Sequence, residues 1–221
     1  MKELIHLNGN HINTLFDVGS HRGETIRFIS SFIKVENIYA FEPLKKNFDV
    51  LLKKTNKINK KNKTNIIYYQ MGLGEKTELK KIKEMKETSS STLNDINTKS
   101  KYFRKKSLLL NFGSNKDFYK EKEVKIIKAA SVIKKKSIKI VDLLKIDTEG
   151  YEFSAIKGFD EELHRVKVIL FEHHYNLMIK KNYKFSDINN YLKLHDFFLL
   201  RKFKMPFRKT FEYIYCNKKF Y

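Results

Sequence analysis

Five apolar runs in this 221-residue chain stop at residues that can bind or react. Asp17 to Gly23 (DVGSHRG) close the first, Glu42 and Pro43 the second, and Gly72 to Gly74 the third. Asp147 and Glu149 follow the fourth, and Glu172, His173 and His174 end the fifth. A glycine pair after an apolar run lets the chain turn sharply and begin a helix close to a ligand. The first N–H groups of that helix are then free to donate to it. Gly19 and Gly23 form such a pair, with Ser20 between them, and Glu42 lies 23 residues past Gly19. An acid about 20 residues beyond a glycine turn, at the end of the next strand, is placed to take both hydroxyls of a ribose. The two signals together point to a cofactor built on a nucleoside.

The residues between the glycines narrow the choice. A dinucleotide turn needs G-x-G-x-x-G, and here Ser20-His21-Arg22 occupies the middle; a triphosphate loop needs G-K-S/T, which is absent. The remaining common occupant is S-adenosylmethionine, whose zwitterionic tail requires an acid for its ammonium, and Asp17 is suitably placed for that. Pro43 and Gly72, at the ends of the second and third runs, are expected on the same cofactor wall.

For these ends to meet, the runs must be strands of one sheet. NTLFDVG (13–19) precedes ETIRFISSFIK, in which Ile26, Ile29, Phe32 and Ile33 recur at helical spacing. NIYAFEP (37–43) precedes a helical stripe of Leu44, Phe48, Leu51 and Leu52, and NIIYYQMGLG (65–74) is the third strand. This alternation implies a parallel sheet with right-handed crossovers, and ligands in such sheets lie beyond the carboxyl ends of the strands. Residues 75–137 read as an irregular insertion or lid, with EVKIIKA as a strand and 97–121 as a loop holding one helical turn. IVDLLKID (140–147) and VKVILFEHH (166–174) are further strands, with a helix over EFSAIKGFD (152–160) between them. FSDINNYLKLHD (185–196) is a helix with Ser186 as its expected cap, and FFLLRKF and FEYIYCN form a closing antiparallel pair around Pro206. Residues 1–221 are expected to make a single domain.

The chain carries 46 Lys and Arg against 25 Asp and Glu, a formal charge of +21, and only six of the basic residues are Arg. Phosphate and base readers favour the planar fork of Arg, so the lysine excess reads first as a solvated surface of biased composition. Nucleic acid is the alternative partner that the charge admits. Either way, the field draws in anionic substrates and weakens with salt. The lone Cys216 excludes an internal disulfide and a cysteine-based zinc cage. No run reaches the roughly 18 apolar residues of a membrane span, and the first residues lack a secretory pattern, so a cytoplasmic location is expected. Nothing in the sequence sets an oligomeric state.

LFDVGSHRGET, IYAFEPLKKNFDVL, SSSTL, LLKIDTEGYEFSAIKGF and VILFE, in that order across most of residues 13–174, resemble the FkbM family of S-adenosylmethionine-dependent methyltransferases. The most distinctive part is K-I-D-x-E-G-x-E. The resemblance implies an α/β, Rossmann-like class I methyltransferase fold. That fold has a mostly parallel seven-stranded sheet with an antiparallel C-terminal strand and helices on both faces. It also implies an O-methyltransferase whose acceptor is a hydroxyl of a small molecule or glycan. TSSSTL, which contains Ser90, resembles the family's serine-containing loop, whose hydroxyls could reach cofactor or acceptor.

Methyl transfer is an in-line displacement at an electrophilic sulfonium carbon, so the protein has to align the acceptor and take its proton. Asp147 is the first candidate for the reaction centre, where it would hold acceptor or cofactor. Glu149 and Glu172 could bind acceptor hydroxyls, with His173 or His174 as base. A metal is not expected. The alternative is a divalent cation gathered by Asp147, Glu172 and His173, which would acidify the acceptor hydroxyl directly. Tyr151, Phe153 and Tyr175 could stack on a ring or simply pack. Two other readings stay open: an RNA or nucleic-acid methyltransferase, favoured by the charge and by the Lys145/Asp147/Glu149 cluster, and a noncatalytic polyanion-binding module that keeps the fold.

Overall fold

The computed structural model describes residues 7, 9–85, 91–100, 103, 119–175, 178–206 and 209–221. Its main sheet has seven strands, β1 (His11–Val18), β2 (Lys34–Phe41), β3 (Asn65–Tyr69), β8 (Val141–Ile146), β9 (Val166–His174), β11 (Phe197–Lys204) and β12 (Thr210–Asn217). They run in the order β11-β12-β9-β8-β1-β2-β3. From β3 to β9 all neighbours are parallel; β12 is antiparallel to both β9 and β11. Strand order reverses at β1, whose neighbours are β2 and β8. This is the Rossmann-like arrangement expected, with the reversed strand supplied by the pair around Pro206.

Both faces of the sheet are covered, which explains why its central strands are mostly apolar, with Asp17, Asp142 and Lys145 as buried exceptions. All six residues of β8 (VDLLKI) are buried, as expected of a parallel strand roofed on each side. On one face, Leu15, Ile38 and Leu143 pack under Ile26 and Ile29 of α1 (Glu24–Phe32) and Leu51 of α2 (Lys45–Asn62). On the other, Phe16, Leu144, Ile169 and Tyr213 pack under three helices. These are α3 (Ala129–Lys135), α4 (Glu152–Lys157) and α5 (Phe185–Leu194). Phe32, expected in the α1 stripe, instead stands 55% exposed in edge contact with Phe28. The helix stops at Phe32 and the chain turns, so only Ile33 reaches inward. At the start of α5 the cap is Lys184, not Ser186. The Lys184 N–H donates to Asp187 Oδ2 at 2.7 Å, and Asp187 returns its own N–H to the Lys184 carbonyl.

The region 75–137 departs most from expectation. Most of the loop expected over 97–121 lies outside the described residues. The strand expected over EVKIIKA is the end of β7 (Tyr119–Ile127), and it pairs antiparallel over eight positions with the unexpected β5 (Glu78–Met85). A short β4 (Gly72–Leu73) completes this second sheet, so the 65–74 run splits between two sheets after Tyr69. A two-stranded pair, β6 (Asp95–Ile96) with β10 (Ile179–Lys180), ties the insertion to the chain beyond β9.

Candidate active site

The carboxyl ends of β1, β2, β8 and β9 form one rim, and hydrogen bonds between backbone groups lock them together. The Gly19 and Ser20 N–H groups both donate to the Phe41 carbonyl at 3.0 Å, and the Asp147 N–H donates to the Val18 carbonyl at 2.9 Å. Gly19 adopts φ +79°, and a Cβ there would sit 1.9 Å from the Asp147 carbonyl oxygen. Only glycine lets β1 turn this close to β8.

Above this junction opens a narrow cleft with a cavity volume of about 70 Å³. Gly19, His21, Glu42, Pro43, Gly72, Asp147 and Glu149 line it. Glu42 is buried and held rigidly: its Oε2 accepts from the His21 N–H at 3.0 Å and its Oε1 from the Leu44 N–H at 2.9 Å. Burial pushes its pKa up to about 7 despite those donors. The carboxylate retains lone pairs for further donors. Leu44, Leu73, Ile82, Leu93 and Tyr151 make an apolar wall. Two of these, Ile82 and Leu93, belong to the insertion, and Ile82 carried no sequence signal of a site. Ile82 alternates with lysines in ELKKIKEM and reads as a surface position until β5 is seen folded over the cleft.

Asp17 does not line the cleft. It lies behind the wall, 0% exposed, and its two carboxylate oxygens have no hydrogen-bond partner among the described residues. Burial raises its pKa to about 6, against the pull of the Lys145 ammonium. The Ser20 hydroxyl turns back to the Asp17 carbonyl at 2.8 Å rather than toward the cleft. Gly23 caps α1 and faces Thr55 and Leu51 of α2, so its smallness serves helix packing. Ser90 lies outside the described residues. Its neighbour Ser91 lines the cleft, and Thr92 Oγ1 donates to the Glu149 carbonyl at 2.7 Å.

Beside the cleft, the ends of β8 and β9 gather charges on one face of the sheet. Lys145 is buried, and its Nζ lies 3.0 Å from Asp147 Oδ2. Burial works against its charge, but Asp147 and Asp17 hold its pKa above the ordinary value. Asp147 is also opposed by burial, and Lys145 keeps it below the usual carboxylate range. His174 Nε2 lies 3.3 Å from both Glu149 Oε2 and Glu172 Oε1. His173 is elsewhere. Successive residues of a strand point to opposite faces, so His173 packs among Tyr175, Tyr183 and Phe185. Burial lowers its pKa to about 3. The grouping of Asp147 and Glu172 with His173 is therefore corrected: the imidazole that joins the acids is His174.

A family model described as the methyltransferase FkbM domain matches residues 17–199. The chain belongs to the FkbM methyltransferase family. Solved structures with similar folds include M. capricolum TrmK in complex with S-adenosyl-homocysteine (12% identity; 98% of this chain and 66% of that one; TM-score 0.49). Others are a SAM-dependent methyltransferase from Aquifex aeolicus (13%; 97% and 87%; 0.50) and an rRNA methylase from Streptococcus thermophilus (8%; 98% and 92%; 0.50). The chain thus spans 66% of the length of the TrmK chain. A search of curated proteins finds no match.

An FkbM methyltransferase uses S-adenosylmethionine, and the cleft fits it. Glu42, fixed by two backbone donors, would accept from ribose hydroxyls, and the wall around Leu73 and Ile82 would face a flat base. Among the described residues no helix is long and apolar enough to cross a membrane.

Proposed function

We propose that this FkbM methyltransferase is an O-methyltransferase acting on a hydroxyl of a small molecule or glycan. The observation that carries this reading is the cluster of Asp147, Glu149, Glu172 and His174 beside the cofactor cleft. A hydroxyl is a poor nucleophile until it loses its proton, and carboxylates around an imidazole are suited to orient it and receive that proton. The bound cofactor supplies the electrophilic methyl group. Asp147, held by Lys145, fixes the acceptor oxygen; Glu149 and Glu172 bind neighbouring hydroxyls; the proton passes into the cluster. Gly19, Glu42, Pro43 and Gly72 hold the nucleoside, with Asp17 behind them.

An RNA acceptor is the second reading. A polar groove of about 730 Å³ shares Leu93 and Tyr151 with the cleft and includes Lys76, Lys80, Lys83 and Lys180. Its charge is tempered: Lys83 pairs with Asp95 at 2.7 Å and Lys81 with Glu121 at 3.3 Å. That balance suits a neutral or weakly acidic glycan better than a polyphosphate. A labelled-methyl assay against separated glycan, small-molecule and RNA fractions tests the choice. Label should enter the first two as an alkali-stable ether; label confined to RNA, or labile as an ester, would contradict the proposal.

A further inference from the structure

The end of β9 offers more than a proton acceptor. One ligand atom each from Asp147, Glu149 and His174 lies within 4.8 Å of the other two. The His174 Nε2 to Glu149 Oε2 distance of 3.3 Å is near the roughly 3 Å between adjacent ligands placed about 2.1 Å from one octahedral cation. The imidazole is oriented from behind. Its Nδ1 lies 3.1 Å from Oγ1 of Thr210, a buried residue on the neighbouring strand β12. That contact fixes the plane of the ring, so Nε2 stays directed at Glu149 and Glu172. A second partner on the far ring nitrogen is the usual support of a metal-binding histidine. The local charge points the same way: Asp147, Glu149 and Glu172 outnumber Lys145 and Lys181 inside a chain whose formal charge is +21.

We propose that Asp147, Glu149 and His174 bind a divalent cation of the kind that accepts carboxylate oxygens with one imidazole, such as Mn²⁺. Its site stands independently, but its catalytic role rests on the O-methyl transfer proposed above. The cation coordinates the acceptor hydroxyl and lowers its pKa. The O–H proton leaves to Glu172, the O–CH₃ bond forms as the S–CH₃ bond breaks, and the cofactor departs as a neutral thioether.

The test is a Mn²⁺ titration of the purified protein, following the free-ion signal by electron paramagnetic resonance. Wild type should bind one ion per chain. Glu149→Gln and His174→Ala should each weaken binding at least about tenfold, and Thr210→Val, which touches only the far side of the ring, about 10–100-fold. Glu42→Ala should bind Mn²⁺ like wild type while losing cofactor affinity. Circular dichroism and thermal unfolding verify that each variant is folded. No binding at millimolar Mn²⁺, or equal binding by folded Glu149→Gln and His174→Ala, would overturn the site. Methyl transfer that persists in EDTA without Mn²⁺ binding removes the cation and spares the O-methyl reading. Mn²⁺ binding without transfer to any hydroxyl does the reverse.

Discussion

Asp147 and Glu42 have opposite electrostatic characters, and each suits its task. Lys145 holds Asp147 ionised, so Asp147→Asn removes charge at the proposed reaction centre without touching Glu42. Turnover should fall about 100-fold or more while cofactor affinity measured by calorimetry changes little; equal turnover would remove Asp147 from the chemistry. Glu42 is an acid whose folded pKa, about 7, lies above its ordinary value of 4.5. Between those values the folded protein binds more protons than the unfolded chain, so stability contributed at this site falls as pH rises. The loss amounts to roughly 3 kcal/mol at most. Denaturant melts from pH 4.5 to 7 should therefore show a steeper decline for wild type than for Glu42→Gln; parallel curves would contradict the buried, uncompensated carboxyl. His173 shows how far a sequence can be read at this scale. Two adjacent histidines at a strand end look equivalent until the face that each occupies is known, and only the packing against Tyr183 and Phe185 separates them.

At the scale of elements, the turn between β8 and α4 is the part under greatest constraint. Glu149 and Gly150 both have positive φ, +49° and +98°, and partners from three directions hold them there. Asn94 Nδ2 and Tyr183 Oη donate to the Gly150 carbonyl at 2.6 and 2.9 Å, and the Gly150 N–H donates to buried Glu152 at 2.6 Å. Tyr183→Phe deletes the hydroxyl whose single proton is shared between the Gly150 carbonyl and Glu152 Oε2. It should cost about 1–3 kcal/mol of stability and lower turnover more than cofactor affinity; unchanged turnover would free the turn from that clamp. β8 was readable because Val141, Leu143, Leu144 and Ile146 make a short apolar run, and K-I-D-x-E-G-x-E marked its end. β5 and α3 were not. β5 buries little beyond Ile82 and Met85 among charged neighbours, and α3 spans only seven residues, too short for a periodicity to emerge. The insertion's apolar side becomes visible only against the cleft that it covers.

At the scale of the whole molecule, a strongly basic chain places an acidic cluster beside its cofactor cleft. Long-range attraction should speed the capture of an acidic acceptor, with kcat/KM falling between about 50 and 200 mM salt and kcat nearly constant. A salt-independent kcat/KM for such an acceptor would mean that the lysines act as solvated surface alone. The central claim is simpler than any acceptor: separate strand ends converge to hold one nucleoside. Calorimetric titration of S-adenosylmethionine into wild type and Glu42→Ala tests it most directly. The account predicts one site per chain in the wild type and binding about 10–100-fold weaker in a variant that still unfolds cooperatively; equal affinity in the two proteins would contradict it.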